Sequence, residues 1–171
     1  MNGVDQKGAL RYEVVASDLR VPVGKPVYIA AAVTARPVAK GSAFGEVTFY
    51  LKDLSDPKAK MESVTVKHSV VGKLNDSPFP IVIGGRKQVG HLWGGQVSRL
   101  ALSLSALTKE QLFLNSAKAE ATPNRIADWK FSQGLPPNAN WYGQKSASPL
   151  LDSAADFCHL LFNSNEFLYL Y

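Results

Sequence analysis

Short runs of apolar residues, set off by turn-forming clusters, make up most of this chain. From residue 10 to about 131, segments rich in Val, Ile, Tyr, Phe and Thr are separated by Gly, Pro, Asp and Ser. That spacing predicts about seven strands in an antiparallel all-β sandwich or barrel. Leu10 to Ala16 reads as the first strand. Val27 to Ala35 is almost continuously apolar, which predicts a central strand buried on both faces, with Pro22, Pro26 and Pro37 bounding it. Glu46 to Lys52 alternates strictly and puts Val47, Phe49 and Leu51 on one face. Ser63 to Val71 alternates again, with Val64, Val66 and His68 set against Thr65 and Lys67, as an outer strand of a sandwich does.

Further along, Phe79 to Ile83 forms a compact apolar strand that ends at Gly84-Gly85, where the lack of a Cβ permits a turn. Gln96 to Leu104 carries Val97, Leu100, Leu102 and Leu104, so its register slips once between Val97 and Leu100, and a bulge there accounts for it. Thr108 as N-cap, with Gln111 in the capping-box position, predicts a short helix near 108–116. Ile126 to Phe131 closes the β region, with Ala127, Trp129 and Phe131 on one face. Residues 132–148, with Gly134, Pro136, Pro137 and Gly143, have linker chemistry. Beyond Ser148-Pro149, the residues Leu150, Leu151, Ala154, Phe157, Cys158 and Leu161 recur at helical spacing and predict a helix near 149–163. The expected organisation is a sandwich over 1–131, a linker over 132–148 and a helical tail over 149–171 that belongs to a neighbouring domain.

The segment Phe79-Pro80-Ile81-Val82-Ile83-Gly84-Gly85-Arg86, then Trp93-Gly94-Gly95-Gln96-Val97-Ser98-Arg99-Leu100-Ala101-Leu102, then Ala106-Leu107-Thr108, resembles the second half of laminin-G-like domains. The resemblance spans about residues 10 to 131 and implies a mainly β, concanavalin A-like jelly roll, an antiparallel sandwich left incomplete where the family's first strands are missing before Leu10. The stretch from Asp156 to Tyr169 is similar to the C-terminus of large bacterial proteins that carry a planctomycete-type cytochrome-c-like domain. It implies a larger, extracytoplasmic parent protein at the cell surface or in the periplasm. No signal peptide is expected within this chain, since its first residues have neither a basic nor an apolar region.

Composition narrows the functional classes. The chain has 19 Lys and Arg against 14 Asp and Glu, a net charge of +5, but the basic residues are scattered singly. Nucleic-acid binding needs several cations on one face, so it is not expected. No apolar run approaches the roughly 20 residues that span a bilayer. Cys158 has no partner for a disulfide, and Ala155 stands where a haem-attachment cysteine would be.

Candidate chemistry is sparse. A glycosidase needs two carboxylates on one face, whereas Glu13, Glu46 and Glu62 stand alone in their segments, so the chain is expected not to be an enzyme. Stacking on sugar rings calls for exposed aromatics, and Trp93, Trp141 and Tyr142 are the ligand-binding candidates, while Trp129 reads as core. Calcium is the candidate metal, with Asp53 and Asp56 in one loop and Asn75 and Asp76 in another. The sequence therefore reads as a non-catalytic module that recognises a glycan or a neighbouring domain of its parent protein. Two alternatives are a structural spacer or accessory segment of a cytochrome-like oxidoreductase, and a degenerate glycoside-hydrolase-like jelly roll. The apolar end from Phe167 to Tyr171 adds an expectation of self-association.

Overall fold

A computed structural model describes residues 1–35, 43–72, 83, 96–112 and 124–131. The described part is mainly β, every strand pairing is antiparallel, and no α-helix occurs in it. The expected helix near 149–163 and most of the expected strand Phe79 to Ile83 lie outside the described residues. Described residues up to Gly72 belong to one compact unit, and those from Ile83 onward belong to another.

The first unit opens with a hairpin of β1 (Asn2–Val4) and β2 (Leu10–Tyr12), in register from Asn2 opposite Tyr12 to Val4 opposite Leu10. Its turn is built by Asp5. One carboxylate oxygen accepts the amides of Lys7 at 2.8 Å and Ala9 at 2.9 Å, and the other accepts Arg11 Nε at 2.8 Å. Gly8, at φ 78°, supplies the left-handed residue that this turn requires. Sequence reading places the first strand at Leu10 to Ala16, but the strand ends at Tyr12, with the Glu13 amide still donating to the Met1 carbonyl at 2.8 Å, and β1 precedes it. The signal for β1 is the Asp5-to-Gly8 turn, which three residues of strand are too short to advertise by alternation.

A three-stranded sheet follows, ordered β3 (Val27–Thr34), β4 (Gly45–Asp53), β5 (Glu62–His68). The central strand is β4, not the expected Val27 to Ala35 segment, which forms the edge strand β3. The apolar run of β3 is continuous because Ala30, Ala31 and Ala32 interrupt no pattern, and alanine covers too little area to demand burial on both faces. Only Tyr28 of β3 is buried, whereas β4 buries Val47, Phe49, Tyr50 and Leu51. Val47, Phe49 and Leu51 share the face predicted for them, and β5 adds half-buried Val64 and Val66 and fully buried His68 to it. Burying side chains of this size stabilises the fold by about 1.5–3 kcal/mol each. Val70 and Val71, just beyond β5, complete this core.

The second unit contains β6 (Arg99–Ser103) paired with β7 (Arg125–Lys130). Backbone bonds from Leu104 N to Asn124 O and from Phe131 N to Ser98 O, both 2.9 Å, extend the ladder at its ends. The register slip expected between Val97 and Leu100 falls outside β6, because the strand begins at Arg99. The irregularity lies further along, where Leu102 faces Ala127 but Ser103 faces Arg125, leaving Ile126 as the extra residue on β7. Of the helix expected near 108–116, the described residues form a single 3-10 turn, Lys109–Gln111, after which Leu112 is extended at φ −66°, ψ 146°, and residues 113–116 lie outside the described residues. The Gln111 side chain accepts the Thr108 amide at 2.9 Å, so the cap forms as the sequence suggests. Leu112 is buried.

Candidate functional site

Register fixes which side chains share the second face of the β3–β4–β5 sheet. Tyr28, Ala30, Ala32 and Thr34 of β3 stand beside Glu46, Thr48, Tyr50 and Lys52 of β4, followed by Ser63, Thr65 and Lys67 of β5. One end of this face is closed, since Tyr28 and Tyr50 are buried. The other end is open and polar. Thr48 and Thr65 sit directly opposite each other with their hydroxyls 2.9 Å apart in an exposed hydrogen bond. Lys67 lies across from Glu46, and Ser63, Thr65 and Lys67 are all exposed. Such a surface offers both donors and acceptors on a rigid sheet, the chemistry that pairs with polyhydroxylated ligands.

The candidate metal loop is half described. Asp53 ends β4, and its Oδ1 accepts both the amide of Ser55 at 2.8 Å and its hydroxyl at 2.5 Å, while Oδ2 takes Lys25 Nζ at 3.0 Å. The Ser55 hydroxyl bond and then the Lys25 ammonium hold the Asp53 carboxyl at about 2. Asp56 accepts the Lys58 amide at 2.8 Å, and the Ala59 amide bonds the Asp56 carbonyl, so this residue caps a turn through Pro57. Both carboxylates are thus engaged by turn donors, and no group of three His, Cys, Asp or Glu side chains with metal-binding geometry occurs among the described residues. Asn75, Asp76, Trp93, Trp141 and Tyr142 lie outside the described residues, as do Cys158 and His159. Trp129, half-buried in β7 opposite Leu100, sits on the face assigned to it by alternation.

Two constellations were not foreseen from sequence. On β6–β7, Asp128 receives Arg99 through two bonds, at 2.8 and 2.6 Å, and Arg125 at 2.9 Å. These guanidinium groups, Arg99 first, keep the Asp128 carboxyl below its ordinary value. Residues three apart on a regular strand point to opposite faces. The Ile126 bulge is what brings Arg125 round to Asp128, and a bulge has no compositional signature here. In the first unit, Glu13 accepts both the amide and the hydroxyl of Ser69, at 2.7 and 2.5 Å, across 56 residues of chain. Beside that contact lies His68, completely buried.

No protein-family model, curated protein or solved structure matches this chain. Of the motifs that resemble laminin-G-like domains, Ile83, Gln96 to Leu102 and Ala106 to Thr108 are described, and the rest lies outside the described residues. No helix among the described residues is long and apolar enough to cross a membrane.

Proposed function

We propose that the chain is a non-catalytic binding module, an antiparallel sandwich of the concanavalin A-like kind, which recognises a glycan as part of a larger secreted or cell-surface protein. The observation that carries this reading is the open end of the sheet face, where the Thr48 and Thr65 hydroxyls, Lys67 and Glu46 stand together on two paired strands. Strands hold such groups in fixed positions, so little ordering entropy is lost when a ligand's hydroxyls bind. Five of the described carboxylates point the same way. Asp5, Asp53, Asp56 and Asp128 each accept bonds that build a turn or an ion pair, and Glu13 ties two segments together. A hydrolase of this architecture would need two such groups facing a substrate.

A second reading, recognition of a neighbouring domain of the parent protein, draws on the apolar residues of the hairpin. Leu10 and Tyr12 project from the same side of β2 and are 73% and 75% exposed. Titration of the folded chain with a polysaccharide panel, by calorimetry and with and without calcium, separates these readings. Saturable binding that is lost in Thr65→Arg, but kept in Tyr12→Ser, supports the glycan reading. Absence of binding to every polysaccharide by a chain that melts cooperatively overturns it in favour of a domain contact or a structural spacer.

A further inference from the structure

We propose that His68 is a proton-operated latch: its neutral ring holds the Asn2–Tyr12 hairpin against the three-stranded sheet, and protonation releases the hairpin.

The geometry begins with burial. His68 is 0% exposed, and neither Nδ1 nor Nε2 has a hydrogen-bond partner. The ring lies beside Gly45, where an added Cβ would come within 2.6 Å of Cε1 and 2.9 Å of Nε2 and would also strike the Thr34 carbonyl. A glycine at the start of β4 is therefore what makes room for the ring. A neutral imidazole always carries one N–H, and leaving it unbonded in the interior is already unfavourable. A charged ring in the same place would cost more.

The residues directly after His68 join the sheet to the hairpin. Ser69 bonds Glu13 through its amide and its hydroxyl, and the amides of Val71 and Gly72 both donate to the Val4 carbonyl, at 3.0 and 3.1 Å. Between them, Val70 is fully buried. These bonds tie the segment directly after His68 to the hairpin.

Charged and polar groups reach His68 from each described neighbour. Burial is the largest influence and disfavours the proton, and the Met1 amine beside β1 acts in the same direction. Glu13 on the hairpin side, together with the backbone of Glu46 on β4 and Thr34 on β3, favours the proton but does not prevail, so the ring titrates below its ordinary 6.5. A released ring is wet and titrates near that ordinary value. The released state thus binds more protons, and the docked state is fully favoured above 6.5 and loses ground as pH falls toward the docked ring's own titration. Within that window the docked-to-released ratio falls by up to about tenfold per pH unit.

The test is amide hydrogen exchange on the full chain from about pH 7.5 to about pH 5, corrected for the intrinsic exchange rate. Protection at Ser69, Val71 and Gly72 is expected to fall by up to about tenfold per unit, while Val47, Phe49 and Leu51 in the central strand keep theirs, and His68→Phe is expected to remove the dependence. Persistence of the dependence in His68→Phe overturns the proposal, as does loss of protection in the central strand in step with the latch. If His68→Phe does not fold, Glu13→Gln keeps an acceptor for Ser69 but removes a charge that favours the proton. Release followed by the ring's NMR signals must then move to higher pH, because the docked protonated state loses a favourable charge and Ser69 a charged acceptor, and a midpoint that stays or moves to lower pH overturns the proposal.

Discussion

Replacing Gly45 with alanine adds one methyl group and should cost about as much as many core deletions. Gly45 begins the central strand, opposite His68 on β5. Its new Cβ would meet the Thr34 carbonyl oxygen on one side and the buried His68 ring on the other, with Cε1 at 2.6 Å. Neither neighbour has room to give. Thr34 belongs to the β3–β4 ladder, in which every residue from Val27 to Thr34 has its partner, so moving its carbonyl disturbs pairing on both strands. The ring is enclosed, since it has no exposure at all. Overpacking of a tight core costs about 1–3 kcal/mol and sometimes more, and a clash with backbone on one side and a buried ring on the other places Gly45→Ala near 3 kcal/mol. With a urea slope of about 2 kcal/mol/M, the midpoint should drop by about 1.5 M. Tyr28 and Tyr50 lie in the same sheet and report its unfolding by near-ultraviolet circular dichroism. Adding His68→Ala removes the ring but not the Thr34 carbonyl, so the double variant should recover part of the loss and no more. A loss below about 0.5 kcal/mol in Gly45→Ala, the scale of an ordinary surface change, would refute the close approach of β3, β4 and the His68 ring.

Two further outcomes follow from the same unit. Phe49→Ala, at a central-strand position only 5% exposed, should cost about 3–5 kcal/mol in a urea melt, and a cost under 1 kcal/mol would show that the face is not packed. Asp53, held at about 2 by Ser55 and Lys25, contributes stability that is present above its ordinary 3.8 and is lost as pH falls toward 2. Thermal melts of Asp53→Asn should therefore fall less steeply between those two values than melts of the parent chain, and parallel curves would count against the turn's carboxylate bonds.

The parts of the fold that could be read from sequence are those where side-chain period and burial coincide. Val47, Phe49 and Leu51 alternate with polar residues and are buried together, so β4 and its inward face were legible, and β5 followed by the same logic through Val64, Val66 and His68. Rank within the sheet was not legible. An edge strand built from three consecutive alanines shows the same unbroken apolar run as a doubly buried strand, and hydrogen-bond order, which decides the matter, leaves no mark on composition. Turn chemistry was the neglected signal at the N-terminus, where Asp5 and Gly8 define a hairpin whose strands are too short to show a period.

The candidate sites divide along a similar line. Residue type can nominate an aspartate but cannot say what already occupies its oxygens. Asp53 and Asp56 suit a cation by type, yet each stands two residues before an amide that it caps, and this local use is available to any Asp in a Pro- and Ser-containing loop. The contacts with the longest reach arise from residues with no pattern at all. Glu13 meets Ser69 only because the hairpin folds back to the end of β5, and His68 is left without a partner only because Gly45 lets its ring lie against backbone. A histidine on an alternating strand reads as one more inward position, and its burial is indeed what the period predicts. What the period cannot carry is the environment at the bottom of that position, with two unbonded nitrogens and a carboxylate close by. That environment turns an ordinary core residue into a group whose protonation opposes the fold, and it exists only once three strands and a hairpin are assembled around it.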